Sequence, residues 1–549
     1  MSARRVATVL AVAVLVALLL RLPLLDRPVW FDEACMSHQR IGTWPQLCAT
    51  LYVDIHPPLF VVFMYAWNHL FGDGELALRL PALLAGLLSI PLTFWTGHRL
   101  VGQHAALLAA CLLALSPVHV WYSAEARLYL PMLLSVLLAI GTFDRLLDPA
   151  PGPRRALWLL HVANVLCLLG LHYYLVAMVT TLAVLAPLFA RGRSQTAMRL
   201  VFWHGLGILL LGGYVLAKRG QGAFETSQDY LRALTPAGLF DFVFDWCWTG
   251  HTLAPTAAWN TTDPLPGGVA GEWLQRLASG LGTGLLLLGT IAVLRRARNT
   301  GRSLLVLVGL LTLPGFLLVL AALGFEQTYL ERSLIAALPF VFLLAAAGAT
   351  LPRGAAGRTL QIAALACVTT TLVGLYVFKD RCWTVYKPNS DWRAVATWLG
   401  GEIDRGGAGR PVFTSTPNAR PLAYYDARIQ DVKSLQQDLD PAQLGKKVAK
   451  LGGGWLGAYA ERTFRDFVAG NQELLAGAKL RVYRAKPELA DLDLPHRLRD
   501  DVCYLVRDHW HPHPSVDDSI ERLLQNPRVE TIECFQFTGI TVTKVRIRP

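Results

Sequence analysis

The stretch Leu59-Phe60-Val61-Val62-Phe63-Met64-Tyr65-Ala66-Trp67-Asn68-His69-Leu70-Phe71 decides how the rest of the chain is threaded. It is apolar enough to enter a membrane, but as a helix it is only about 20 Å long, against a hydrocarbon core of about 30 Å. It starts directly after Pro57-Pro58, where a helix tolerates proline. Whether it crosses or lies flat fixes the side on which everything after it emerges.

A membrane is required by composition. The 549 residues are 53% hydrophobic and only 16% charged, more apolar surface than a soluble core of that length can hide. On either side of the deciding stretch lie apolar runs at Val6–Leu20, Leu76–Trp95, Ala105–Tyr122, Leu128–Phe143, Ala156–Leu171, Tyr173–Ala190, Leu200–Leu216, Leu277–Leu294, Leu304–Leu323, Ser333–Ala349 and Leu360–Phe378. Arg4 and Arg5 precede the first run as in a signal peptide, but no small-residue cleavage site follows before Trp30-Phe31-Asp32, so a retained first span is expected. If Leu59–Phe71 lies flat, Arg4/Arg5, Arg99, Arg145/Arg154/Arg155, Arg191/Arg193/Arg199, Arg295/Arg296/Arg298/Arg302 and Arg353/Arg358 all collect on one side, which the positive-inside bias makes cytoplasmic. If it crosses, nearly all of them move outside. The expected fold is therefore an all-α polytopic membrane bundle of about eleven transmembrane helices, N-in/C-out, with Leu59–Phe71 as a surface helix.

Residues 1–378 form the transmembrane unit, with a first exoplasmic loop at 26–75 and a large one at 218–276. The second carries Phe240, Phe242, Phe244, Trp246, Trp248, Trp259 and Trp273, as expected of an aromatic belt at headgroup level. From Lys379 the apolar spans stop. A helix-like stretch at Asp391–Leu399 and β-rich runs at Pro411–Thr414, Gly457–Tyr459 and Thr541–Arg546 predict a soluble α/β domain over 379–549 on the same, exoplasmic side. The net charge of +12 is read as arginines meeting acidic lipid headgroups, and no nucleic acid is expected as a partner. The nine cysteines show no CxxC pair or zinc spacing. Cys35–Cys48 and Cys503–Cys534 suit disulfides in an oxidising compartment, and free thiols suit the sequence equally well.

Chemistry-bearing residues gather on the exoplasmic side. Trp30-Phe31-Asp32-Glu33-Ala34 puts two adjacent carboxylates just past the first span, where they suit a general base on a hydroxyl or a cation ligand; alone, the pair would read as solvated loop acids. His56, at the mouth of the surface helix, suits catalysis or a helix cap. The turn Tyr122-Ser123-Ala124-Glu125-Ala126-Arg127-Leu128-Tyr129 brings a carboxylate, a guanidinium and two tyrosines between consecutive spans, and Tyr329-Leu330-Glu331-Arg332 opens another span with a second arginine. Arg127 and Arg332 suit a phosphate because a guanidinium keeps its charge and bonds two oxygens at once. A surface pair between Glu125 and Arg127 and a snorkelling anchor at Arg332 are the plain alternatives. Three polar clusters at the mouths of different helices fit one site built between helices better than three anchors. At the lipid boundary such a site suits a substrate with a membrane-buried tail and a phosphate head. No Walker-type loop for a nucleotide is present.

These motifs, with His56-Pro57-Pro58-Leu59-Phe60, Arg79-Leu80-Pro81, Ser116-Pro117 and Glu331-Arg332-Ser333-Leu334-Ile335-Ala336-Ala337-Leu338-Pro339-Phe340, resemble in order and spacing the glycosyltransferase family 39 pattern over roughly residues 1 to 378. That family has the GT-C membrane fold and includes protein mannosyltransferases and relatives of the lipid A aminoarabinose transferase. The resemblance implies an inverting transfer from a polyprenyl-phosphate sugar, the donor being a substrate, to a glycan, lipid or protein acceptor. It implies a multi-pass protein of a bacterial inner membrane, among membrane lipids, working on the cell envelope from the periplasmic side. By motif position Asp32 maps to the main catalytic acid with Glu33 beside it. Arg127 and Arg332 map near the donor phosphate, and His56, Glu125, Tyr129 and Glu331 are supporting residues. No cofactor follows with certainty; were a divalent cation bound, Asp32, Glu33 and Glu125 are the residues to hold it. Glu125 precedes Arg127 where eukaryotic protein mannosyltransferases carry an Arg and, further on, Leu-Asp, so protein O-mannosylation is not implied. A transporter or flippase of lipid-linked sugars is the competing class, weakened by the lack of a mid-span Asp or Glu, and a non-catalytic assembly protein is the third.

Overall fold

The computed structural model describes residues 1–54, 56–148, 154–190, 193–219, 233–250, 269–325, 328–378, 389–415, 420–432, 455–484, 502–509 and 514–548. Arg191, Trp259 and Lys379, named above, lie outside these residues, as do most of 218–276 and the first ten residues of 379–549.

The chain opens with α1 (Ala3–Leu25) and a first loop of three short helices, α2 (Phe31–Ala34), α3 (His38–Ile41) and α4 (Trp44–Val53), followed by α5 (Leu59–Phe71). The bundle continues through α6 (Glu75–Leu100), α7 (Gln103–Leu115), α8 (Pro117–Tyr122), α9 (Tyr129–Leu146), α10 (Arg155–Leu171), α11 (Leu175–Ala190) and α12 (Ser194–Arg219). After it come α13 (Pro236–Asp241), a π-turn at Phe242–Trp246, α14 (Cys247–Thr249), α15 (Val269–Thr300), α16 (Leu304–Ala322), a 3-10 turn at Glu331–Ala337, α17 (Leu338–Thr350) and α18 (Ala355–Phe378). Eight described helices are long and apolar enough to cross a membrane: α1, α6, α9, α12, α15, α16, Glu331–Thr350 with α17, and α18. The other predicted spans correspond to the shorter apolar helices α7, α10 and α11, and α5 is a fourth short one. On α5, Phe60, Val61, Met64 and Asn68 are buried while Val62, Phe63, Leu70 and Phe71 stay exposed.

Two expectations for the bundle are corrected. The run Ala105–Tyr122 is not one helix: Pro117 has no N–H and forces Ser116 into an extended conformation, and the Ser116 hydroxyl caps α8 at His119 N. The aromatic belt is only partial. Phe240 and Trp273 are exposed, but Phe242, Trp246 and Trp248 are fully buried, with Trp246 against Tyr122 and Trp248 against Phe342. Indole and phenyl area is used inside the bundle there.

At the core, α17 is buried on every face from Leu338 to Ala349. It packs on α15 where Gly289 and Gly348 let backbones touch: a Cβ on Gly348 would lie 2.0 Å from Leu285 O, and one on Gly289 1.9 Å from Leu344 O. At the arginine-rich end, Arg99 bridges Asp144 and Asp148 at 2.5 Å each, and Arg302 reaches Asp144 at 3.6 Å.

The C-terminal domain is a sheet of six strands: β1 (Pro411–Thr414), β2 (Ile429–Asp431), β3 (Leu480–Arg484), β4 (Val502–Asp508), β5 (Val529–Phe537) and β6 (Ile540–Ile547). Their order is β2-β3-β1-β4-β6-β5, parallel through β4 and then antiparallel. Helices α19 (Trp392–Glu402), α20 (Arg420–Tyr425), α21 (Trp455–Gly477) and α22 (Pro514–Leu524) accompany it. Gly457–Tyr459, expected as β, lies inside α21, because Phe464, Phe467, Asn471 and Leu474 continue a helical period that outweighs three residues of local preference. Cys35, Cys48, Cys503 and Cys534 are free thiols.

Candidate active site

The first loop carries its acids on a single turn of helix. Trp30 is extended, α2 starts at Phe31, and Asp32 and Glu33 fall in its first turn, where carboxylates favour helix starts. The two neighbours then part. Glu33 is fully buried: its Oε1 accepts from Arg79 Nε at 2.8 Å and from Ala126 N at 3.0 Å, and its Oε2 accepts from Arg79 Nη2 at 2.6 Å. Burial pushes this carboxyl up, but the Arg79 guanidinium outweighs burial and leaves it below the ordinary glutamate value. Asp32 stays 19% exposed and faces Arg127 Nη2 at 3.7 Å. It is thus the member of the pair open to a substrate.

Arg79 comes from the first turns of α6 and also donates to Leu25 O at 2.8 Å and Arg27 O at 2.6 Å, so one side chain ties α1, α2 and α6 together. Arg27 lies 3.9 Å over the Trp121 ring and donates to Ala124 O at 2.7 Å, holding the Ser123–Arg127 turn from beneath. In that turn Glu125 is buried, with Oε2 accepting from Trp121 Nε1 at 3.0 Å and Oε1 without a hydrogen-bond partner among the described residues. Burial raises its carboxyl to about 7, with Glu33 and Asp32 adding and Arg332 and Arg27 opposing. Arg127 Nε likewise has no hydrogen-bond partner among them.

From the 3-10 turn before α17, Arg332 reaches the same place, 5.7 Å from the Tyr129 ring and within electrostatic reach of Asp32 and Glu125. Tyr129 is buried at the start of α9, edge-on to Tyr122 at 5.2 Å. Glu331 is buried in the same 3-10 turn. His56 bonds Asp54 Oδ1 through Nδ1 at 2.9 Å and through its backbone N at 2.7 Å. Burial opposes ionisation of Asp54, but the His56 bonds and the Arg127 charge take it down to about 2. The His172 ring stands 5.6 Å from His56, and burial, then His56 and Arg127, lower it to about 3. Asp32, Glu33, His56, Glu125, Arg127, Tyr129 and Arg332 therefore have contacts or electrostatic partners within one cluster around Arg127 and Arg332.

Asp54, His172, Arg27 and Arg79 are the residues of the candidate site that sequence reasoning passed over. Arg79 stood inside a quoted motif, and an arginine in the first turns of an apolar span is itself a signal that a buried carboxylate awaits it. Asp32, Glu33 and Glu125 do not come together as ligands. Among the described residues no group of three or more His, Cys, Asp or Glu is arranged to hold a metal ion, and both Glu33 oxygens are engaged by nitrogen donors.

The helical bundle and its appended sheet domain make a fold of the GT-C type. Residues 55–215 match the family described as dolichyl-phosphate-mannose-protein mannosyltransferase. The whole fold is similar to ArnT from Cupriavidus metallidurans in the apo state, with a TM-score of 0.52 at 12% identity over 97% of each chain. It is equally similar to the same enzyme bound to undecaprenyl phosphate, with a TM-score of 0.52 at 13% identity over 99% of this chain and 98% of that one. The Archaeoglobus fulgidus oligosaccharyltransferase in the apo form gives a TM-score of 0.43 at 12% identity over 77% of this chain and 63% of its own. Nothing among curated protein sequences matches the chain.

Proposed function

We propose that this chain transfers a sugar, with inversion, from a polyprenyl-phosphate carrier to an acceptor hydroxyl at the exoplasmic face of a bacterial inner membrane. The observation that carries the reading is Asp32, solvent-reachable, opposite Arg127 at 3.7 Å, with Arg332 in the same field. Asp32 accepts the acceptor's proton as its oxygen bonds to the anomeric carbon. The bond from that carbon to the phosphate oxygen breaks, and the lipid phosphate leaves with the electron pair. Arg127 and Arg332 stabilise the charge developing on the leaving phosphate, an effect strengthened by their low-dielectric setting. Burial of Glu33 by Arg79 makes it a positioning residue for Asp32. Undecaprenyl phosphate is the carrier favoured by the fold's likeness to an enzyme seen with that lipid.

The test is single-turnover transfer by purified protein offered a panel of radiolabelled undecaprenyl-phosphate sugars, comparing wild type, Asp32→Ala and Arg127→Ala. Removing the base is expected to slow transfer by about 100-fold or more. Removing Arg127 is expected to slow cleavage of the bond between the anomeric carbon and the undecaprenyl phosphate oxygen by a similar factor. Equal transfer of label by all three proteins would refute the mechanism and return the chain to the transporter or assembly-protein class.

A further inference from the structure

The C-terminal domain does not merely follow the bundle; it grips the loop that carries Asp32. Asn389 Nδ2 donates to Pro28 O at 2.7 Å, and the Tyr425 hydroxyl accepts from Val29 N at 2.6 Å while donating to the Glu75 carboxylate. Arg393 pairs with Glu75 and donates to Asp26 O and Oδ1 at 3.2 Å each. Tyr424 donates to Asp73 O at 2.7 Å. On α2 itself, the Arg420 guanidinium sits 5.3 Å from the Phe31 ring and 3.2 Å from Cys35 Sγ, so α20 touches the residue before Asp32 and the residue after α2. From the other side the same segment is held by Arg79, through Glu33 and the carbonyls of Leu25, Arg27 and Pro28.

A four-residue helix has too few internal hydrogen bonds to fix its own orientation. Its position is set by what holds its ends. We propose that the C-terminal domain is a positioning element for the active site: through Asn389, Arg420 and Tyr425 it clamps Pro28–Cys35 against the Arg79–Glu33 anchor and so fixes where the Asp32 carboxylate stands relative to Arg127. The inference rests on the reading of Asp32 as the base. None of the three clamp residues touches the reacting atoms. They act through backbone and ring contacts on either side of Asp32, and displacement of a reacting group by about 1 Å is enough to cost about 100-fold in rate.

The test uses the full chain in detergent micelles. Tyr425→Phe deletes one oxygen and with it the bonds to Val29 and Glu75, and Asn389→Ala deletes one bond, so each leaves the sheet's core intact. Hydrogen exchange of the backbone amides of Val29–Met36 is compared with that of Val502–Asp508 in β4, which reports whether the domain itself remains folded. In each variant, exchange over Val29–Met36 is expected to rise by about tenfold, with β4 unchanged. Turnover of the active undecaprenyl-phosphate sugar falls, while affinity for undecaprenyl phosphate alone stays within about twofold, since Arg127 and Arg332 are untouched. Unchanged exchange over Val29–Met36 in both variants overturns the clamp whatever the turnover. Normal transfer by Asp32→Ala instead defeats the assignment of the base, and the exchange result still decides the clamp.

Discussion

Glu125 is the residue whose chemistry the fold alters most visibly. Its ordinary value of 4.5 is raised to about 7 by burial beside Asp32 and Glu33. A carboxyl whose folded-state value is raised favours the native state in its protonated form. That advantage is whole below pH 4.5, declines from there, and is gone once pH has risen through about 7. The native state is therefore expected to lose about 3 kcal/mol of stability across that interval from this residue alone. Glu125→Gln cannot ionise, so it should melt higher than wild type near pH 8 and at the same temperature as wild type near pH 4. Intrinsic-fluorescence melting at the two pH values reads the difference, and a gap of equal size at both would mean that packing against Trp121, not ionisation, governs the site. The same residue illustrates what sequence discloses. Its type and turn were legible, but its burial was not, because burial depends on Trp121 and Arg27 folding over it from other elements.

At the scale of elements, the crossing of α15 and α17 controls the height at which Arg332 enters the site, since the 3-10 turn carrying it runs directly into α17. Gly289 and Gly348 set the closeness of that crossing, with backbone facing backbone. Gly348→Ala forces the helices apart and is expected to cost about 1–3 kcal/mol, as overpacking does. It should also weaken undecaprenyl phosphate binding, by displacing Arg332. Gly315→Ala in α16, where a Cβ meets nothing within 4 Å, is the matched control and should leave both unchanged. Melting temperature and lipid-phosphate affinity check the pair, and an unperturbed Gly348→Ala would show that the bundle relaxes around the contact. Elements were readable where periodicity runs long, as in α6 or β6. They were missed where one residue overrules the pattern, as Ser116-Pro117 does between α7 and α8, or where the window was three residues, as at Gly457–Tyr459.

For the molecule as a whole, the clamp was invisible in sequence because its partners are more than 300 positions apart: Asn389 with Pro28, Tyr425 with Val29. Yet that docking bears on the threading question posed by Leu59–Phe71. Arg393 bonds Asp26, so both residues stand on one face of the membrane and the chain must cross an even number of times between them. Seven of the long apolar helices lie in that interval, so an odd number of the four short ones must cross as well. Crossing by α7, α10 and α11 with α5 lying flat satisfies the count, and adding α5 to those three breaks it. Impermeant maleimide labelling of intact cells, read peptide by peptide, checks this through three exposed positions. Asp26→Cys and Asp404→Cys should label together, and Gln195→Cys, in the first turn of α12 at the arginine-rich end, only after permeabilisation. If α5 crossed along with the other three, Asp26→Cys would label with Gln195→Cys and Asp404→Cys would not. That pattern would remove the C-terminal domain from the loop that bears Asp32, and the clamp and the shared exoplasmic site would fall with it.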